Sequence, residues 1–227
     1  ALSNEVIGLL NDSLMHHKDR PDLKCVLIRG SGDNFFVAGG DLKELTSVRK
    51  DRETEAMALN GRAMLDQIRY FPVPVIANIN GYALGGGAEL AMACDYRIAS
   101  ESSKFGFIHS TLGITTAWGG IIDLIETIGS SRALSILIEG KIFKAKDAQK
   151  AGIINEVEKT HEALGSRINE IKKMYQSTSI QVIRGIKAVN VKQKQLIHEQ
   201  LKELDLDSFK KTWMSNEHWK KVEALLS

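Results

Sequence analysis

The stretch from Val73 to Cys94 constrains this chain more than any other. Val73 to Ile79 is short and almost continuously apolar, as in a strand covered on both faces. Asn80-Gly-Tyr-Ala-Leu-Gly-Gly-Gly87 follows at once, and Ala88 to Cys94 then reads as an apolar helix. Strand, glycine loop, helix is the order of an α/β protein, and the same alternation surrounds it. Val6, Ile7, Leu9, Leu10, Leu14 and Met15 recur at helical spacing, and that helix ends in Asp19 to Asp22 with Pro21 inside. Lys24 to Arg29 is a strand, Gly30 to Asn34 a turn, and a polar helical stretch runs on to about Tyr70, before Pro72 and Pro74. Tyr96 to Ala99 and Phe105 to Ile108 are further strands, with helices at about 119–129, 131–138 and 145–151. Beyond residue 160 helical periodicity takes over, through Ala163–Gln176, Ile180–Gln200 and Asp205–Leu226. The expectation is a βα core over residues 1–160 and a helical region over 161–227.

Composition removes several classes. Thirty Lys and Arg against 28 Asp and Glu leave a net charge of +2, so the field of a nucleic-acid binder is missing. Lys187, Lys192, Lys194, Lys210 and Lys211 are thin candidates for a basic stripe and read as a solvated helix face. No apolar run approaches the roughly 18 residues that suggest a membrane span, and residues 1–20 lack the order of a signal peptide. The chain is expected in the cytoplasm, or in an organellar matrix if a targeting segment was removed. Cys25 and Cys94 sit in apolar segments without CxxC or paired-His spacing, so they read as core thiols and no metal site is expected.

Two glycine-rich segments can carry chemistry, Ala38-Gly39-Gly40-Asp41 and Gly85-Gly86-Gly87. Each lies near a strand and before a helix. Glycine leaves backbone N–H groups unshielded, so two such loops facing each other could supply converging donors to an oxyanion, or they are simply tight turns. Neither satisfies GxGxxG, and no GxxxxGK[ST] occurs. Glu89 lies in the first turn of the following apolar helix, either as a dipole partner or as a buried acid. His109, after the strand Phe105 to Ile108, is the candidate acid or base because imidazole titrates near neutrality. His16 and His17 fall in a polar helix end. His161, His198 and His218 sit among charges and read as solvated.

The segments Phe35-Phe-Val-Ala-Gly-Gly-Asp-Leu-Lys-Glu44, Pro74 to Asp95, Leu112-Gly-Ile with Gly119-Gly120, and Ala148 to Val157 resemble the crotonase, or enoyl-CoA hydratase/isomerase, superfamily. The resemblance implies an α/β spiral of ββα units with a C-terminal helical trimerisation region, and a homotrimer or dimer of trimers. It implies an acyl-CoA thioester as substrate and no further cofactor, since CoA belongs to the substrate. By position, the N–H groups of Gly40 and Gly86 would form the oxyanion hole. Ala38, Asp41, Leu42, Leu84, Gly85, Gly113 and Trp118 would contact substrate, with Ala38 to Leu42 against the adenine end of CoA. Ala1-Leu2-Ser3 resembles an element that follows an initial strand pair in the family, and that pair is expected to precede Ala1.

The hydratases of this family carry two glutamates. Glu89 fills the first position, but His109 stands at the second, which departs from the hydratase pattern and equally from that of the simple isomerases. Histidine there, with tryptophan in Thr115-Thr-Ala-Trp-Gly-Gly120 and Trp213 near the C-terminus, is similar to the ethylmalonyl-CoA decarboxylase branch. The resemblance therefore implies a short-chain acyl-CoA decarboxylase with His109 as proton donor. One alternative is a hydratase or isomerase using Glu89 with His109; another is a catalytically silent assembly or RNA-binding protein.

Overall fold

The computed structural model describes residues 1–226, apart from the side chains of Leu42, Lys43 and Leu226. The chain opens with α1 (Asn4–His17), capped by the Ser3 hydroxyl, which accepts from the Val6 N–H at 3.2 Å. It then lays its strands into two sheets, alternately from β1 to β6. The strands β1 (Val26–Arg29) and β2 (Phe35–Val37) lead to α2 (Leu42–Leu45) and α3 (Asp51–Arg69). Next come β3 (Val75–Ile79), β4 (Tyr82–Leu84) and α4 (Gly86–Ala93), then β5 (Tyr96–Ser100), β6 (Lys104–Gly106) and a 3₁₀ turn, His109–Leu112. They are followed by α5 (Gly120–Ile128), α6 (Ser130–Glu139), β7 (Phe143–Lys144), α7 (Ala145–Lys150) and β8 (Glu156–Glu158). The helices α8 (His161–Ser177), α9 (Ile180–Trp213) and α10 (Asn216–Leu226) complete it.

One sheet has the order β1-β3-β5-β8, parallel throughout; the other runs β2-β4-β6-β7, parallel except for the β6–β7 pair. Successive turns of the spiral thus place one strand in each sheet, the ββα repeat. Every residue of β3 is buried, which explains its apolar sequence.

Three sequence expectations change. The helical stretch before Tyr70 is two helices, because Glu53 reaches back to the N–H groups of Lys50 (3.3 Å) and Arg49 (3.4 Å) and starts α3 afresh at Asp51. The break expected between Gln200 and Asp205 is absent: that stretch holds good helix formers and neither Gly nor Pro, so α9 runs unbroken for 34 residues. The chain turns instead at Met214–Ser215, where the Ser215 hydroxyl accepts from the His218 N–H at 3.2 Å and starts α10. Cys94 is a core thiol, raised to about 12 by burial, whereas Cys25 is only half-buried.

Several charges read as solvated are interior. Lys187 of α9 is 4% exposed and donates to Asp95 (2.5 Å) and to the Arg69 carbonyl (3.0 Å), tying α9 to the end of α3. Lys194 and His198 are buried on the same helix face, and Lys210 pairs with Asp51 and Glu55.

Candidate active site

A cavity of about 550 Å³ opens between the two glycine loops. One wall is the loop after β2, Ala38 to Asp41. Leu2 pairs with it in parallel register, donating to the Gly39 carbonyl (2.8 Å) and accepting from the Asp41 N–H (3.2 Å). In a parallel bridge the residue between those two contacts turns its own N–H and C=O away from the partner strand, so Leu2 leaves the Gly40 amide unengaged on its side. The opposite wall is Gly85 and Gly86 at the start of α4. Gly85 has φ +55°, and a β-carbon on Gly87 would lie 2.0 Å from the Val37 carbonyl oxygen, so the turn that opens α4 admits only glycine there. Gly86 is the first residue of α4, where an N–H has no intrahelical acceptor and the helix dipole favours negative charge.

Glu89, one turn further on, is 1% exposed and surrounded by donors. Its Oε1 accepts from the Ala117 N–H (3.2 Å) and faces His109 Nε2 at 3.1 Å; its Oε2 accepts from the N–H groups of Trp118 and Gly120, both at 2.9 Å. Burial alone would raise this carboxyl, but the His109 hydrogen bond and charge together with the Gly120 and Trp118 amides hold it below the usual range. A β-carbon on Gly120 would sit 2.5 Å from Glu89 Cγ, so glycine there is what admits the carboxylate. His109 starts the 3₁₀ turn and lines the cavity, and its Nδ1 has no hydrogen-bond partner among the described residues. Trp118 lies against Gly86 and Gly61, either of which would clash with the indole if it carried a side chain.

Of the residues expected from sequence, Ala38, Gly40, Asp41, Gly85, Gly86, Glu89, His109 and Trp118 all line this cavity. Leu84 lies behind it, with its carbonyl 3.5 Å from where a Gly39 β-carbon would be. Gly113 ends the 3₁₀ turn at φ +71° and packs on the His218 backbone. The Leu42 side chain lies outside the described residues.

The roof was not foreseen. Phe209 and Trp213 of α9 and His218, Trp219, Val222 and Leu225 of α10 close the far side. His218, read as solvated, is 1% exposed: its Nδ1 pairs with the Leu112 carbonyl at 2.7 Å, which makes Nδ1 the protonated nitrogen of the neutral ring, and burial lowers its pKa. Trp213 donates to the Val48 carbonyl (3.0 Å), and the Arg49 guanidinium stacks 3.4 Å above the Trp219 ring. Trp213 alone carried a hint in the sequence. Among the described residues no group of three or more His, Cys, Asp or Glu is placed to hold a metal ion, and no helix is long and apolar enough to cross a membrane.

Comparison with known proteins agrees with this fold. The chain is 36% identical to a crotonyl-CoA hydratase of Syntrophomonas wolfei over 77% of its own length and 65% of that protein. It is 29% identical to a Bacillus subtilis protein described as "Probable enoyl-CoA hydratase", over all of this chain and 87% of that one. The crystal structure of an enoyl-CoA hydratase from Bacillus halodurans superposes with a TM-score of 0.90 at 25% identity, covering 98% of this chain and 90% of that one. The profile of the enoyl-CoA hydratase/isomerase family matches residues 1–225, and the chain belongs to that family of crotonase-superfamily enzymes.

Proposed function

We propose that this enzyme acts on an acyl-CoA thioester, binds its carbonyl oxygen between the N–H groups of Gly40 and Gly86, and decarboxylates a short 2-carboxyacyl group with His109 as proton donor. The bond between the α-carbon and the carboxylate breaks, its electron pair enters the thioester as an enolate, and CO2 leaves. His109 then protonates the α-carbon and is reprotonated from solvent. The two amides carry the charge that develops on the oxygen, worth several kcal/mol when preorganised.

The saturation of Glu89 is the observation that carries this reading. Adding water across a double bond asks a carboxylate to accept a hydrogen bond from that water, and Glu89 already receives three amides and an imidazole. It serves better as a fixed anion behind His109. The lining supports the same chemistry. Among the described residues it has no Lys or Arg side chain, so none of them offers a substrate carboxylate a fixed countercharge, and loss of neutral CO2 relieves that desolvation. The names of the relatives favour a second reading, hydration or isomerisation of an enoyl-CoA by the Glu89–His109 pair. The RNA-binding reading loses support, because Lys187 and Lys194 are buried and Lys210 is paired.

A paired assay separates the readings: CO2 release from methylmalonyl-CoA and ethylmalonyl-CoA, beside loss of enoyl absorbance from crotonyl-CoA. Decarboxylation without hydration is expected; hydration alone would overturn it. H109A should lower decarboxylation about 10²- to 10⁴-fold and leave the affinity for CoA product within about twofold. A parallel loss of affinity would make His109 a binding group. We also propose a homotrimer, single or paired, supported by the exposed apolar residues Ile186, Val189 and Leu204 on α9 with Leu134 and Ile138 on α6. Light scattering measures the assembled mass.

A further inference from the structure

We propose that Arg69, Asp123 and His198 are positioning residues that aim His109 through the backbone of Trp118 and the carboxylate of Glu89. The proposal rests on His109 being the proton donor. None of the three lines the cavity, so none can touch substrate there.

Trp118 is held at both of its backbone groups. Its N–H donates to Glu89 Oε2 at 2.9 Å, and its carbonyl accepts from Arg69 Nη2 at 2.8 Å. Arg69 is fully buried. Its Nε lies 3.1 and 3.0 Å from the two oxygens of Asp123, and its Nη2 donates to Asp123 Oδ2 at 2.7 Å. Burial disfavours the guanidinium charge, but Asp123 outweighs it and holds Arg69 firmly ionised. Asp123 takes one more bond, from His198 Nε2 at 3.1 Å, and His198 belongs to α9.

Gly119 shows how closely the loop is pressed onto this cluster. It has φ +90°, and a β-carbon there would lie 3.1 Å from both Arg69 Nη2 and His198 Cε1. The path from His198 through Asp123, Arg69, the Trp118 backbone (its carbonyl, Cα and N–H) and Glu89 to His109 is therefore unbroken, each hydrogen-bond or ion-pair step 2.7–3.1 Å. It joins α9, which also carries Phe209 and Trp213 into the roof, to the reacting group. A rigid polar chain of this kind fixes the imidazole to the fraction of an ångström that proton transfer needs.

His198 is the residue to change first, because D123N leaves the buried Arg69 guanidinium with Asp66, 2.7 Å from Nη1, as its remaining ion-pair partner and endangers the fold. The experiment measures kcat, KM, the pH profile of kcat and thermal stability of H198A and H198Q beside H109A. It adds the proton resonance of the His109 Nε2–H, shielded from exchange by its bond to Glu89. H198A should lower kcat about tenfold with KM within about twofold, displace the pH profile, and broaden that resonance through faster exchange. H198Q, whose amide can still donate to Asp123, should recover most of the loss. Wild-type kcat, pH profile and resonance in folded H198A would overturn the proposal, and so would a fall in kcat that H198Q does not recover. If H109A keeps its turnover, His109 is not the proton donor. The resonance in H198A then still decides whether this cluster aims the ring: broadened, it does; unchanged, it does not.

Discussion

The two glycine loops that face each other across the cavity are braced very differently. Gly85 to Gly87 is buried and surrounded by atoms that cannot yield: the Val37 backbone against Gly87, the Trp118 ring against Gly86, and the Gly106 carbonyl accepting from the Gly85 N–H at 2.9 Å. Ala38 to Asp41 is more open, with Ala38 exposed and Gly40 half-buried, and Leu2 grips it through two backbone hydrogen bonds. Among the described residues only the tip of a flexible side chain, Leu45 Cδ1, stands within 3 Å of a β-carbon built on Gly40. The two donors of the proposed oxyanion site thus come from a rigid wall, Gly85 to Gly87, and a yielding one, Ala38 to Asp41. On the proposed function, the rigid wall would supply preorganisation and the yielding one adaptation to the CoA moiety.

The largest effect that follows is at Gly86. G86A keeps the N–H group but places a methyl 2.4 Å from Trp118 Cζ3, against a ring that also fills the space over Gly61. Either the indole or the amide must move. Turnover should fall about a hundredfold and stability by about 1–3 kcal/mol, read from initial rates and urea denaturation. A near wild-type G86A would show that the wall of Gly85 to Gly87 has the same give as the wall of Ala38 to Asp41.

A smaller effect is expected at Gly40, whose φ is not positive and whose steric neighbour can rotate aside. G40A should lose less than about tenfold in turnover and less than about 1 kcal/mol in stability, with KM affected as much as kcat. Equal losses in G40A and G86A would erase the distinction between the walls.

How much of this was legible in the sequence follows from the same contrast. The glycine walls could be read because the absence of a side chain is a local property, and a glycine triplet between strand and helix has few uses. Glu89 and His109 could be read because they follow those elements directly. The roof could not. His218 meets Leu112 and Trp213 meets Val48 across more than a hundred residues, and helical periodicity tells only that α9 and α10 have an apolar face. The buried network was hidden for a related reason. Lys187, Lys194 and His198 stand among polar residues on a long helix, where charge reads as solvation, and only the arrival of Asp95 and Asp123 from the βα core makes an interior position affordable. Helical segments were legible, but their ends were not: α2 and α3 read as one stretch, and the end of α9 was missed because Ser215 acts through a cap rather than through a breaker.

The smallest effect concerns acid, and it separates the walls by the kind of acceptor that holds them. The amides of Trp118 and Gly120 are held by Glu89, whereas those of Leu2 and Asp41 are held by carbonyl oxygens. Glu89 has a folded-state pKa below its ordinary value near 4.5, so its contribution to stability is fully present above that value and is lost as pH falls through the folded one. Asp123, depressed chiefly by Arg69 against the penalty of burial, acts in the same direction. Asp205 runs the other way: burial beside Arg62 raises it to about 6, so its contribution is complete below its ordinary 3.8 and fades as pH rises through 6. Amide exchange, corrected for the intrinsic pH dependence of the exchange chemistry, should therefore show protection at Trp118 and Gly120 level above about pH 4.5 and falling as the pH is lowered below it. Protection at Leu2 and Asp41 should stay level over the same range. A parallel decline at all four amides would mean that acid loosens the whole fold at once, and that the Glu89 carboxylate is not what makes the wall of Gly85 to Gly87 rigid.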